Sequence, residues 1–246
     1  MAGTGKTVLV INPNSNADVT AGISQALDPL RLPGGPEIRC ETLAEGPFGI
    51  ESQADVESVT MPLRRLVAER TEADAFIIAC YSDPGLHVCR EATAKPVFGI
   101  QECAVLTAAA RGDRFGVIAI KTASIRRHLR YLRQMGAIDR LAGERAVDLS
   151  VAETGQGGKT YDRLAAIGGE LRDLDGADTI ILGCAGMARH RVALEAELGI
   201  PVIDPTQAAA AMAVGTVLLA QGTEAGRDAT AARAVLDEKN EHSRSP

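Results

Sequence analysis

The chain has 246 residues, of which 46% are hydrophobic, and this supports one large α/β domain or two small ones with a packed core. A net charge of −6 and an aromatic content of 3% argue against nucleic acid as the main partner and favour a small aliphatic or polar ligand. No run of about 18 apolar residues predicts a membrane span. Five cysteines without an apolar N-terminal leader indicate reduced thiols in the cytoplasm.

The first part of the chain alternates short apolar runs with segments of helical periodicity, as expected of parallel strands joined by helices. Predicted strands lie at Val8–Ile11, Ile38–Leu43, Ala75–Cys80 and Pro96–Ile100. Predicted helices lie at Val19–Leu30, Ala54–Ala68, Asp83–Ala94 and Glu102–Arg111, and a Gly/Pro-bearing loop at Glu45–Gln53 carries Phe48. Asp83 predicts the start of the third helix, because aspartate accepts from free amides and the following proline suits a first turn.

The second part of the chain restarts the same alternation. Predicted strands lie at Phe115–Ile120, Ala146–Val151, Thr179–Cys184 and Pro201–Asp204. Predicted helices follow Lys121–Ser124 as far as about Met135, and then lie at Tyr161–Leu174, Ala188–Leu198 and Gln207–Leu219. Glu153–Gly158 is predicted to be a glycine-rich loop, and the polar segment Gln221–Pro246 a terminal helix or a loose tail.

Three segments of the first part recur in the second part in the same order. Ala73–Cys80 matches Ala177–Cys184, and both segments begin with Ala-Asp and end on a cysteine. The other two pairs are Lys95–Gln101 with Ile200–Asp204, and Val8–Ile11 with Val117–Ile120. The repetition predicts two pseudo-symmetric α/β halves with mostly parallel sheets, and it places Cys80 and Cys184 across a shared cleft at the carboxyl ends of their strands.

The duplicated thiols are the strongest candidates for chemistry. Cys80 precedes the polar segment Tyr81–Pro84, and Cys184 precedes the small residues Ala185 and Gly186. Backbone amides at such positions can stabilise a thiolate or hold a ligand oxygen. The repeated pair therefore favours a catalytic role for both sulfurs over simple packing. Two further cysteines are interpreted as packing residues, Cys40 and Cys103.

Other motif-like segments do not predict a further site. Gly3–Thr7 lacks the spacing of a phosphate-binding loop and precedes the first strand, and Glu153–Gly158 lacks the glycine order of a dinucleotide site. His87 and Cys89 lack a second pair of zinc ligands, so no metal is predicted and His87 is interpreted as a helix-surface residue.

Four motifs together resemble the aspartate/glutamate racemase superfamily, and within it the hydantoin and allantoin racemase branch. They are Ile11–Ser15, Ala79–Leu86, Gly183–Met187 and Asp204-Pro205. The likeness covers roughly residues 8–220. Aspartate and glutamate racemases usually follow their cysteines with Asn-Thr and Thr-Glu, whereas this chain has Tyr81-Ser82 and Ala185-Gly186, which argues against an acidic amino-acid substrate.

The resemblance implies a cofactor-independent racemase of a 5-substituted hydantoin or allantoin, a homo-oligomer, with Cys80 and Cys184 as the acid/base pair on opposite faces of the substrate carbon. It also implies that the C-terminal helix returns to the first half. Residues 1–105 with about 208–246 then form one half, and residues 106–207 form the other. By family position the substrate-binding residues are Asn14, Phe48, Tyr81, Ser82, Thr122, Ala123, Ala185 and Gly186.

Other functions share this fold. A maleate isomerase keeps both cysteines and uses one thiolate as a nucleophile, and an arylmalonate decarboxylase keeps only the second, so that Cys80 counts against that class. A non-enzymatic small-molecule binding protein would also have two α/β halves around a cleft.

Overall fold

The computed structural model describes residues 5–154 and 159–220, which form two parallel four-stranded sheets. In the first sheet the order is β2-β1-β3-β4, with β1 at Thr7–Asn12, β2 at Glu37–Thr42, β3 at Ala75–Ile78 and β4 at Val97–Gly99. In the second the order is β6-β5-β7-β8, with β5 at Phe115–Ala119, β6 at Leu141–Ala146, β7 at Thr179–Gly183 and β8 at Val202–Ile203. The predicted fold of two pseudo-symmetric α/β halves is confirmed.

Helices cover the sheets. In the first half they are α1 (Ala17–Ala26), α2 (Gln53–Ser58), α3 (Thr60–Glu69), α4 (Leu86–Ala92) and α5 (Ile100–Ala109). In the second half they are α6 (Thr122–Gln134), α7 (Val151–Thr154), α8 (Lys159–Asp173) and α9 (Arg191–Leu198), and residues 205–220 form a last helix, α10. Among the described residues, no helix is long and apolar enough to cross a membrane.

The apolar core joins the two halves. One buried cluster contains Val10 of β1, Val117 of β5 and Ala209 of α10. The side-chain amide of Gln207 in α10 also donates to the carbonyl of Ala26 at 2.7 Å. Because α10 packs against both sheets, the division of the chain near residues 105 and 208 stays a prediction.

The strand register shows how closely the two halves correspond. Phe76 on β3 pairs with Val97 in the first sheet, and Ile180 on β7 pairs with Val202 in the second. Phe76 lies four positions before Cys80, and Ile180 lies four positions before Cys184. Two residues further along the outer strand in each half, Gly99 of the first half corresponds to Asp204 of the second half. The two halves therefore differ at the start of the helix that follows the outer strand.

Asp83 supplies the carboxylate that Gly99 lacks. Its two oxygens accept the amides of Gln101 and Glu102 at 2.9 and 2.8 Å, so that it caps α5 rather than its own helix. A Cβ at Gly99 would lie 2.3 Å from the Asp83 carboxyl carbon, so the absence of a side chain makes room for the cap. Burial raises the pKa of Asp83 to about 7, although the two amides act to lower it.

The predicted helix Asp83–Ala94 is therefore too long at its start. Asp83 has a φ of 42°, and α4 begins only at Leu86, after Gly85 with a φ of 66°. The local signal of an aspartate before a proline was correct for a cap, but the helix that it caps lies elsewhere in the chain.

Three other predicted elements differ from the structure. The strand expected at Ala146–Val151 is wrong, since β6 is Leu141–Ala146 and the apolar residues after it follow the carboxyl edge of the sheet instead. Helix Ala54–Ala68 is interrupted at Val59, where α2 ends. The loop expected at Glu153–Gly158 begins inside α7, and residues 155–158 lie outside the described part of the chain, as does the segment 221–246.

A Gly99→Ala substitution should lower the free energy of unfolding by about 2–3 kcal/mol, because the new methyl group would displace the Asp83 carboxylate from the amides of α5. Gly22→Ala is the matched control. Gly22 is exposed in α1, and no atom lies within 4 Å of a new Cβ. Because alanine favours a helix over glycine, Gly22→Ala should raise the free energy of unfolding by about 0.5–1 kcal/mol. Denaturant titrations measure both, and shifts of the same sign would show that the Asp83 cap does not depend on the space at Gly99.

Candidate active site

A cavity lies at the carboxyl ends of the central strands of both sheets. The first half contributes Asn14, Val19, Ile50, Ala79, Cys80, Tyr81 and Ser82 to its lining. The second half contributes Ile120, Ser124, Arg127, His128, Val151, Gly183, Cys184, Ala185 and Gly186. Both candidate cysteines therefore line one cavity between the halves.

The two sulfurs have matching backbone environments. Cys80 comes two residues after the end of β3, and the amide of Ser82 donates to its thiol. Cys184 directly follows β7, is 8% exposed, and its sulfur accepts from the amide of Gly186 at 3.4 Å. In each half, an amide two residues after the cysteine points at the sulfur, which stabilises a thiolate when one forms.

Desolvation dominates the ionisation of Cys80. The pKa of this thiol is raised to about 12, mainly by burial and also by negative charge at Cys184. The Ser82 amide and the guanidinium of Arg127 act in the opposite direction. Since each negative sulfur disfavours the other, the pair resists double ionisation.

Arg127 is a site residue that the sequence did not reveal. Its Nε donates to the Ser82 hydroxyl at 3.0 Å, which leaves the terminal nitrogens for a ligand. Ser124, Arg127 and His128 share one face of α6 by their spacing, and this face lines the cavity. The sequence offered only helical periodicity here, and the neighbouring Arg126 and Arg130 look the same without the tertiary structure.

Asn14 is held in the loop after β1 by a network of asparagines. Its Oδ1 accepts from the Asn12 side-chain amide and from the backbone amide of Asn16, both at 2.9 Å. Asn16 in turn caps α1 through the amide of Asp18. With Oδ1 occupied, the Asn14 side chain offers its Nδ2 as the donor to a bound ligand.

Aliphatic side chains form another part of the lining. Val19, Ile50, Ile120 and Val151 come from four different segments. Ile50 and Val151 are neighbours, because Gly49 approaches the Val151 side chain and Glu51 accepts the Val151 amide at 3.0 Å. This apolar wall contains no charge to pair with an ionic substituent.

Three predicted binding residues do not line the cavity. Phe48 is 66% exposed, in the loop before α2. Thr122 and Ala123 are exposed in the first turn of α6, and the Thr122 amide and hydroxyl bind the carboxylate of Asp148 instead. The helix turns its next positions inward, beginning with Ser124. Five predicted residues do line the cavity beside the two cysteines: Asn14, Tyr81, Ser82, Ala185 and Gly186.

Several residues singled out in the sequence lie away from the cavity. Cys103 is buried in the core that joins the two halves, Cys40 packs partly against that core, and His87 is exposed on α4, as predicted. Across residues 5–154 and 159–220, no group of three His, Cys, Asp or Glu side chains could hold a metal ion.

Asp204 follows β8 and begins α10. Its Oδ1 accepts the amide of Gln207 at 2.7 Å, whereas its buried Oδ2 has no hydrogen-bond partner among the described residues. Burial raises the pKa of Asp204 to about 6, although the Gln207 amide and the charge of Arg191 lower it.

A cavity between two parallel-sheet halves, with one thiol from each half, is the arrangement that the sequence motifs predicted for a racemase. A family profile described as Asp/Glu/Hydantoin racemase matches residues 8–213. The chain belongs to this family, and the prediction of an enzyme of the racemase class is confirmed.

Individual relatives lie in the predicted branch. Hydantoin racemase of Paenarthrobacter aurescens is 36% identical over 221 residues, covering 88% of this chain and 93% of that protein. Allantoin racemase from Klebsiella pneumoniae is 30% identical with a TM-score of 0.80, covering 87% and 89% of the two chains. Allantoin racemase from Pseudomonas fluorescens is 27% identical with a TM-score of 0.82, covering 87% and 92%.

Tyr81→Phe should leave the melting temperature unchanged or raise it slightly. The Tyr81 hydroxyl is buried and has no hydrogen-bond partner among the described residues, so its removal deletes an unsatisfied polar group and keeps the ring. Thermal unfolding of the variant checks this. A fall of several degrees would mean that the hydroxyl has a partner in the folded protein.

Asp204→Asn should flatten part of the pH dependence of stability. The Asp204 pKa is raised from 3.8 to about 6, so the wild-type folded state holds a proton that the unfolded state releases, and stability is lost as pH rises from about 4 to above 6. The variant keeps Oδ1 as the acceptor for Gln207 and cannot ionise. Between pH 4 and 7 it should gain up to about 3 kcal/mol relative to wild type in urea titrations. Parallel curves would contradict the raised pKa.

Proposed function

We propose that this protein racemises a 5-substituted hydantoin, or a related ring such as allantoin, by proton transfer between Cys80 and Cys184 without a cofactor. The observation that carries the proposal is the pair of sulfurs, one from each half, that line a single cavity and each accept an amide two residues further on. The similarity to hydantoin and allantoin racemases supports the same chemistry. Cytoplasmic location, cofactor independence and a homo-oligomeric state stay predictions.

The coupled ionisation of the thiols suits this reaction. A racemase of this kind needs one base and one acid at the same time, on opposite faces of the carbon. Negative charge at Cys184 raises the pKa of Cys80, so a thiolate at one cysteine keeps the other cysteine protonated. In the state with the charge on Cys184, Cys80 is the acid.

The chemical step then follows from that charge state. The thiolate forms an S–H bond with the C5 proton, the C5–H bond breaks, and the electron pair moves onto the adjacent carbonyl oxygen. The opposite thiol delivers its proton to the other face and becomes the thiolate. The terminal nitrogens of Arg127 and the Nδ2 of Asn14 are the donors that we assign to the developing oxyanion.

The lining also favours one kind of 5-substituent. Val19, Ile50, Ile120 and Val151 form the apolar wall, whereas Ser82, Arg127 and His128 provide polar atoms elsewhere in the cavity. A hydantoin ring satisfies the polar atoms while an alkyl group at C5 occupies the apolar wall. We therefore expect 5-alkylhydantoins to be better substrates than allantoin, whose C5 substituent is a polar ureido group.

Deuterium exchange tests the two-thiol mechanism. In deuterated water the wild type should place deuterium at C5 of both enantiomers of a 5-alkylhydantoin while racemising them. Cys80→Ala and Cys184→Ala should each lower racemisation by about 10²–10⁴-fold, because each removes one acid/base partner. Each variant should still exchange one enantiomer with retention, and the two variants should differ in which enantiomer that is.

Cys40→Ala is the matched control, because Cys40 lies on β2 and is not part of the cavity lining. It should exchange and racemise like the wild type. Racemisation that survives in both active-site variants would exclude the two-thiol mechanism.

A further inference from the structure

A buried cluster beside the cavity has no role in the proton transfer described above. Its members are Tyr81, which follows Cys80, His128 on α6 and Glu144 on β6. His128 also lines the cavity. The side chains of His128 and Glu144 are 3% and 1% exposed, and a buried ionisable pair next to a ligand cavity calls for a functional explanation.

Glu144 fixes the orientation of the imidazole. Its Oε1 lies 2.5 Å from Nδ1 of His128. The Tyr81 ring meets the imidazole edge-on, with the ring centroids 5.0 Å apart and the planes at 87°. The Glu144 carboxylate and the Tyr81 ring together prevent the His128 imidazole from rotating freely. Nε2 of His128 therefore stays on the side away from Glu144.

The same contact assigns the tautomer. A carboxylate accepts, so the hydrogen of a neutral imidazole lies on Nδ1 and the lone pair lies on Nε2. Among residues 5–154 and 159–220, no side chain forms a hydrogen bond to His128 Nε2.

We propose that Nε2 of His128 accepts a hydrogen bond from a ring N–H of the hydantoin, with Glu144 as the positioning residue. This inference rests on the proposed function and adds a binding role to it. A cyclic urea or imide presents N–H groups in its ring plane, whereas the other polar groups assigned to the ligand, on Arg127 and Asn14, are donors. His128 supplies the acceptor that such a ring requires, and it selects against a ligand without that N–H.

The first experiment combines altered substrates with altered protein. The substrates are a 5-alkylhydantoin and its 1-methyl and 3-methyl derivatives. In the wild type, methylation of the nitrogen that His128 contacts should lower kcat/KM by about tenfold or more, because an unpartnered acceptor remains in the cavity. Methylation of the other nitrogen should have a smaller effect.

Two variants separate the hydrogen bond from the structural role. His128→Asn keeps a donor for Glu144 at the position of Nδ1 but has no atom at the position of Nε2. For this variant, N-methylation of the substrate should therefore change kcat/KM by no more than about twofold. His128→Gln keeps an acceptor near Nε2 and should retain most of the penalty. An Asn variant with reduced activity but an unchanged penalty would overturn the proposal.

A measurement on the wild type covers the case in which the variants do not fold. 5,5-Dimethylhydantoin has no C5 proton and cannot react, but it keeps both ring N–H groups. On its binding, the ¹⁵N resonance of His128 Nε2 should move in the direction of hydrogen-bond acceptance, and an unmoved resonance in the bound protein would overturn the proposal. A protein that shows this shift yet racemises no hydantoin would refute the proposed function alone.

Discussion

Removal of water from two thiols in one cavity is the constraint on which the rest of the site depends. Burial raises the pKa of Cys80 to about 12 even though the Ser82 amide and the Arg127 guanidinium lower it, so this thiol stays protonated at neutral pH. The amides of Ser82 and Gly186 and the guanidinium of Arg127 lie where they stabilise a negative charge on the sulfurs. The strand ends, the helix α6 and the two cysteine loops are positioned so that these groups converge on the sulfurs.

The two halves reach similar thiol environments by different means. Arg127 lies beside the first thiol, and the loops after the cysteines differ, with Tyr81 on one side and Ala185 on the other. The carboxylates at the following helices differ as well, since Asp204 begins α10 directly whereas Asp83 reaches α5 from the cysteine loop. The duplicated fold therefore surrounds its two thiols with different residues.

The sequence was informative for the cavity residues that lie next to the cysteines. Buried strands appear as continuous apolar runs, so Ala75–Ile78 and Thr179–Gly183 could be predicted, and with them the cavity residues that follow. It was uninformative where side chains arrive from another element. Glu144 lies on an edge strand too polar to stand out, and Arg127 is one of several arginines on α6, so only tertiary packing distinguishes them.

The Asp83 cap has a consequence for how the first half opens. The residue that closes the start of α5 also belongs to the loop that carries Cys80, so a movement of that loop that displaces Asp83 removes the partner of the Gln101 and Glu102 amides. Hydrogen exchange at these two amides therefore reports the same local unfolding event that dislodges one thiol. The second half lacks this link, because Asp204 caps its own helix, and Cys184 can move while α10 stays intact.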